Sequence, residues 1–476
     1  MDYKKEVSRR SFLAFLGTGA AALAASATGL DPLLGKANAS AAGHSAAALP
    51  FPALQPTTAD KLTLAGGYTA DWLATGEGGR YISFVQGKSV YEGYLWISHT
   101  DQKARGASIL TIKRSDIDAA WTVEGTKSVS ASDRISVTGP AKASGVTQGL
   151  WSNGSGGRTP WGTVLAGESP LDSGAAQAGI NPESVGYIAE ADPTDASFAV
   201  RKHTALGRFA HGDAVSALTR DRRVAIYMGS SRALFKFISA GEYDPVKGTA
   251  NTALLEEGRL YAADFGSGQW IELTAKAVKA VLSNKTYRMP AGVDSLREDL
   301  LKKVEEQSNL LIYAQDAALV LGATPLDNPA GLALHPADGS LFVAQTGSAS
   351  SGNGFGSVVR LVEDGSDAGS MTFESDLAAA GGRQAGFSSP DGAAFDSAGR
   401  LWLSSRIPSS LLNAGAYAAF GNNGLYALTS SGESFGKAEP FASAPVKGAL
   451  SAPAFGPDGT LFAAIEGSGI VAIRRS

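Results

Sequence analysis

The sequence contains no cysteine. That excludes disulfides, thiolate-bound metals and cysteine nucleophiles. It has five histidines in 476 residues, too few for a histidine-rich metal cluster. Charged residues make up 18% of the chain, the formal net charge is −4, and no stretch concentrates Lys and Arg as a nucleic-acid surface requires. Past the N-terminal segment no apolar run is long enough to span a bilayer. A G-x-S-x-G nucleophile elbow, a phosphate-binding P-loop and a dinucleotide fingerprint are all missing.

What is abundant is glycine, at 58 residues. Glycine turns separate many short runs of alternating or fully apolar character, such as Arg80–Val85 and Tyr91–Ser98. This is the pattern of an all-β chain rich in hairpins. Three segments of the C-terminal third share one grammar. Asn328-Pro329-Ala330-Gly331 leads to Asp338-Gly339-Ser340-Leu341-Phe342, Ser389-Pro390-Asp391-Gly392 to Gly399-Arg400-Leu401-Trp402, and Ala452-Pro453-Ala454-Phe455 to Asp458-Gly459-Thr460-Leu461-Phe462. The prolines recur about 60 residues apart, the spacing of β-propeller blades, and the chain has room for six or seven. Residues 295–321 differ: helix formers and opposite charges four apart, such as Glu298 and Lys302, predict one or two helices packed on the β body.

The N-terminus reads as an address. Ser8-Arg9-Arg10-Ser11-Phe12-Leu13, an Ala-rich apolar segment and Ala37-Asn38-Ala39 form a twin-arginine export signal with a small-x-small cleavage site. The expectation is a signal at 1–39, a flexible Ala/Ser/Pro-rich lead-in at 40–60, and a propeller over 61–476. The product would be exported to the periplasm, cell envelope or exterior, with no transmembrane segment in the mature chain and no nucleic-acid partner.

The most pointed stretch is Trp151–Ser169, WSNGSGGRTPWGTVLAGES. A cluster of small residues leads to an arginine and a Thr-Pro-Trp-Gly turn, then to an apolar strand ending in Glu168. On composition this is either a glycine-rich connection between propeller strands or a shaped loop for an anion or metal. Arg158 either clamps an anion or holds the loop by an ion pair or carbonyl contact. Downstream, Gly207–Asp213 carries His211 and Asp213, with His211 either a site residue or a hydrogen-bonded core residue. Asp391 reads as a ligand or as a turn residue after Pro390.

These stretches resemble the PhoX-type alkaline phosphatases. Asn153, Gly156, Gly157, Thr159, Pro160, Trp161, Gly162, Thr163, Leu165 and Glu168 fit the family's N-C-x-G-G-x-T-P-W-G-T-x-L-T-C-E-E loop. Gly207-Arg208-Phe209-Ala210-His211 fits G-R-F-x-H, Leu260–Phe265 with Trp270 fits L-Y-V-A-x-F…W, and Pro390-Asp391 fits P-D-N. The resemblance implies a six-bladed propeller whose mouth holds iron and calcium and hydrolyses phosphate monoesters. It implies Glu168 and Asp391 as metal ligands, with Asp213 a shifted substitute; His211, in the matched G-R-F-x-H segment, and Arg158, the candidate anion clamp of its loop, are the catalytic candidates. Several family positions are altered: the Cys falls at Gly154, and the acids at Thr100, Ser169, Gly212, Ser230, Ser231 and Ala330. The remaining carboxylates suit calcium at most, and the absent Cys and Glu ligands argue against iron. Three functions therefore stand as expectations: a divergent phosphomonoester hydrolase with a degenerate metal site, a non-catalytic propeller binding a phosphate ester or other small ligand in its channel, and a calcium-dependent hydrolase of the lactonase type.

Overall fold

The computed structural model describes residues 49, 51–76, 78–99, 106–130, 133, 135–141, 149–151, 154–169, 182–348, 351–428 and 438–476. The segment read as a twin-arginine signal, 1–39, residues 40–48 and 50 of the lead-in, Thr100 and Asn153 lie outside them.

Six antiparallel sheets form a ring of blades. Blade 1 is Tyr81–Gln86, Glu92–His99, Gly106–Lys113 and Thr122–Ser130. Blade 2 is Gly156–Arg158, Val164–Gly167, Ile188–Ala191 and Arg201–His203, with Ser136–Thr138 added in parallel at its edge. Blade 3 has five strands, Ala214–Leu218, Arg223–Gly229, Leu234–Glu242, Gly258–Asp264 and Gln269–Glu272. Blade 4 is Pro329–Leu334, Leu341–Gln345, Ser357–Glu363 and Phe373–Ala380. Blade 5 is Pro390–Phe395, Leu401–Ser405, Gly424–Leu428 and Ala438–Ser443, and blade 6 is Ala454–Phe455, Leu461–Ile465 and Gly469–Arg475. Two N-terminal strands complete the last blades: Thr63–Leu64 pairs with Ala438–Ser443, and Tyr68–Thr75 pairs with Gly469–Arg475. The ring is thus closed by strands of residues 63–75 pairing with strands of residues 438–475.

The three sequence repeats are the first hairpins of blades 4, 5 and 6. Their turns share a glycine at positive φ and a capping aspartate, which directly precedes the glycine in blades 4 and 6 and stands three residues before it in blade 5. Gly339, Gly399 and Gly459 take positive φ of 70°, 74° and 81°, which other residues rarely adopt. Asp338, Asp396 and Asp458 accept hydrogen bonds from the backbone N–H two residues on, at 2.9, 2.9 and 3.2 Å. Apolar residues on facing blades interdigitate: Phe84 of blade 1 stacks on Phe462 of blade 6 at 5.2 Å, and Phe342 of blade 4 meets Phe395 of blade 5 edge-on at 5.2 Å. Packing of aromatic rings in this way adds to the area they bury and fixes each blade against the next.

Toward the axis there is little room for side chains. A Cβ on Gly157 would come within 1.9 Å of the Ala214 carbonyl oxygen, and one on Gly229 within 2.0 Å of the Pro329 carbonyl oxygen. These two glycines let the backbones of neighbouring blades touch. Outside the ring, four short helices pack against blade 3: α1 (Ala275–Ser283), α2 (Arg297–Lys303), α3 (Gln307–Ile312) and α4 (Ala314–Leu321). Residues 295–321 thus hold three helices rather than one or two, and helicity already begins at Ala275. Thr274 caps α1 by accepting the Ala277 N–H at 3.1 Å.

Candidate functional site at the channel mouth

Each blade's first strand begins, and its second ends, at the same end of the channel. The residues at these positions are the natural lining of a mouth. The first-strand starts carry Arg80, Ser155, Asp213, Ala330, Asp391 and Ala452, one per blade. The second-strand ends carry His99, Glu168, Ser230, Thr346, Arg406 and Glu466.

A charged network ties this mouth together. The Asp391 carboxylate accepts Arg80 Nη2 at 2.6 Å on Oδ1 and Arg406 Nε at 2.7 Å on Oδ2. Arg406 Nη1 also pairs with Glu466. Arg80 reaches past blade 6 to blade 5, so the bond crosses the ring. Asp391 is buried, which opposes its ionisation, but the two guanidinium charges and their hydrogen bonds hold its carboxyl below the usual range. Its backbone is set by a strained start: Ser389, just before Pro390, has φ of +48°, and Asn328, just before Pro329, has φ of +56°.

Asp213 lies in the same mouth. Its Oδ1 accepts the Ala214 N–H and its Oδ2 the Leu332 N–H, both at 2.9 Å, and Ser155 adds a side-chain bond. Burial, with the nearby Asp391 charge, pushes its carboxyl up to about 8. It is therefore protonated at neutral pH in the folded protein and ionised in the unfolded one, where its value is near 3.8. The native state binds more protons between these limits, so this group's contribution to stability is complete below about pH 4 and falls as pH rises toward 8. Asp213→Asn is expected to flatten that decline; urea midpoints at pH 5 and pH 8 measure the slope, and an unchanged slope would contradict the assignment.

The other sequence candidates make their contacts outside this network. Glu168 is fully buried within blade 2. It pairs with the equally buried Lys202 at 2.8 Å and accepts N–H groups of Trp151 at 2.7 Å, Gly186 at 3.1 Å and Tyr187 at 3.3 Å. His211 is buried against Phe209, ring centroids 4.0 Å apart, and its Nε2 meets the Gly207 carbonyl at 3.3 Å. Burial lowers its value to about 3, so it is neutral at physiological pH. Its Nδ1 has no hydrogen-bond partner among the described residues. Arg158 ends the short strand that Ser155 precedes. Its Nη1 donates to the Phe84 carbonyl at 3.4 Å, away from the Asp391 network. The Thr-Pro-Trp-Gly segment is the hairpin between Gly156–Arg158 and Val164–Gly167. It is bolted by Glu190, which accepts Trp161 Nε1 at 2.8 Å and Thr163 Oγ1 at 2.5 Å.

The structure thus gathers Asp391 and Asp213 and leaves Glu168, His211 and Arg158 outside their network. Among the described residues no group of three or more His, Cys, Asp or Glu side chains converges as a metal ion would require. Motif reading did not single out Arg80, Arg406 or Glu466. The available signal was positional: each occupies the same place in its blade as a residue that a motif does mark.

The family model for alkaline phosphatase PhoX matches residues 85–469. The chain belongs to the PhoX family. Among solved structures, this PhoX-family chain is similar to Pseudomonas fluorescens PhoX in complex with vanadate, a transition state analogue, with a TM-score of 0.71 and 22% identity over 89% of this chain and 98% of that one. That likeness shows the shared propeller fold. Sqt1 from Chaetomium thermophilum aligns over 86% of this chain and 100% of that one, at a TM-score of 0.37 and 10% identity. No curated protein sequence matches. Membership places the chain in a phosphatase family and brings the expectation of a metal cofactor. No helix among the described residues is long and apolar enough to cross a membrane.

Proposed function

We propose that this PhoX-family protein is exported and takes a phosphate monoester at the channel mouth, with the family's multi-metal centre degenerate. The observation that carries the reading is the Arg80–Asp391–Arg406 network: the mouth's central carboxylate has a guanidinium on each oxygen. Dense positive charge from several metal ions needs several free anionic ligands. Here Asp391 faces two arginines, Glu168 faces Lys202 and three N–H groups, and Asp213 is held by two backbone N–H groups. The residues present do not fit a cluster of iron and calcium ions, and no chemical step is routed through one. A single calcium would have to displace an arginine from Asp391. The Arg9-Arg10 pair supports export by the twin-arginine route.

Elemental analysis of protein recovered outside the cytoplasm, paired with a p-nitrophenyl phosphate assay with and without calcium, tests this. The expected result is less than one equivalent of iron. Stoichiometric iron and calcium with rapid turnover would overturn the degenerate-centre reading, and retention of the protein inside the cell would overturn export. Turnover that appears only with calcium identifies a one-metal hydrolase. No turnover under any condition favours a propeller that binds its ligand without converting it, a reading also favoured by the full internal pairing of Glu168.

A further inference from the structure

The two guanidiniums at Asp391 have hydrogen-bonding capacity that the fold does not use. The Arg80 side chain bonds only to Asp391 among the described residues, and a quarter of its surface, 26%, is open to solvent. Arg406 uses Nε on Asp391 and Nη1 on Glu466, leaving Nη2 without a partner among the described residues, and its side chain is 22% exposed. Asp391 is 7% exposed, whereas Glu466 is 36% exposed and its charge is screened by water. One buried carboxylate therefore joins two forked donors, each partly open to solvent and each at a blade position that lines the mouth.

The donors are also held in place before any ligand arrives. Gly78 and Gly79 let the chain before Arg80 press on blades 6 and 1; a Cβ on Gly78 would lie 1.8 Å from the Ile465 carbonyl oxygen. The Arg406 N–H donates to the Ser389 carbonyl at 2.8 Å, tying the second guanidinium to the segment that carries Asp391. A planar guanidinium fork matches the oxygens of a carboxylate or a phosphate, and pre-organised forks lose little freedom on binding.

We propose that Arg80 and Arg406 form an oxyanion receptor that works without a metal ion, and that Asp391 is the resident carboxylate which a phosphate-type dianion displaces. This deepens the phosphate-ester reading above and depends on it. The receptor makes a prediction opposite to that of a metal site. Where Asp391 is a metal ligand, neutralising it weakens phosphate binding. Where Asp391 competes for the arginines, neutralising it strengthens binding.

The test is calorimetric titration of the full chain, stripped with EDTA and dialysed, with phenylphosphonate and inorganic phosphate. Wild-type protein is expected to bind without metal, Asp391→Asn at least tenfold more tightly, and Arg80→Gln at least tenfold more weakly. Circular dichroism checks that each variant is folded; if Asp391→Asn is not, Arg80→Gln decides. Tighter binding of phenylphosphonate than of phosphate assigns the site to monoesters, and the reverse to free phosphate; both support the receptor. Binding that requires added calcium, or that survives Arg80→Gln unchanged, overturns it while leaving the phosphate-ester reading intact. No binding of either anion to any form, with or without calcium, overturns both.

Discussion

Lys202→Met will lower the free energy of unfolding by about 3–5 kcal/mol, the cost of leaving one member of a buried ion pair alone. Lys202 and Glu168 are both fully buried, 2.8 Å apart. The ammonium also donates to the carbonyls of Gly149 at 3.0 Å and Ser184 at 2.9 Å, so three acceptors lose their partner together. Methionine fills much of the same volume, which confines the loss to charge and hydrogen bonds rather than packing. Adding Glu168→Gln to Lys202→Met should return part of the loss, because the stranded charge is then gone. Urea denaturation of the two single variants and the double variant measures the coupling. If Lys202→Met unfolds within about 1 kcal/mol of wild type, the pair is not the keystone of blade 2 that its burial implies.

Gly157→Ala is expected to cost about 3 kcal/mol, at the upper end of overpacking effects. The added methyl would sit 1.9 Å from the Ala214 carbonyl oxygen and 3.0 Å from its carbon, both backbone atoms. Blades 2 and 3 would have to separate where they meet the axis, and side-chain repacking cannot relieve that. At Gly125, within the outer strand of blade 1, an added methyl would have no other atom within 4 Å. Gly125→Ala is the control and should change the melting temperature little, since it adds nothing to a contact. Equal effects at the two sites would show that the axial glycines are not set by backbone proximity.

The ring of blades was legible because hairpin chemistry is local. Asp338-Gly339 and Asp458-Gly459 announce turns within a few residues, and the repeats around Pro329, Pro390 and Pro453 place blades 4 to 6 directly. Asp391 and Asp213 stood out through the family resemblance, the first at a matched ligand position and the second beside the altered Gly212. Their partners could not. Arg80 and Asp391 are 311 positions apart, and what brings them together is closure of the ring. Glu168 shows the limit from the other side. Its motif position suggested a ligand, but its surroundings depend on Lys202, two strands further on in the chain, and on N–H groups of a connecting loop. Helix content was similarly blurred: the charge pattern around Glu298 and Lys302 marks helical character but not the breaks at Val304 and Tyr313, where the backbone leaves helical geometry.

The two N-terminal strands carry a consequence for biogenesis. Tyr68–Thr75 is made early, yet its partner, Gly469–Arg475, follows about 400 residues later and is the last strand among the described residues. Throughout synthesis the early strand presents an unpaired edge, and the nascent blades lie in an open arc with exposed apolar flanks. Pairing between such distant segments is slow, because most of the chain must be ordered before the last contacts form. Until that pairing forms, an open arc of this kind is exposed to aggregation and proteolysis. Closure of the ring depends on the pairing of Tyr68–Thr75 with the seven-residue strand Gly469–Arg475.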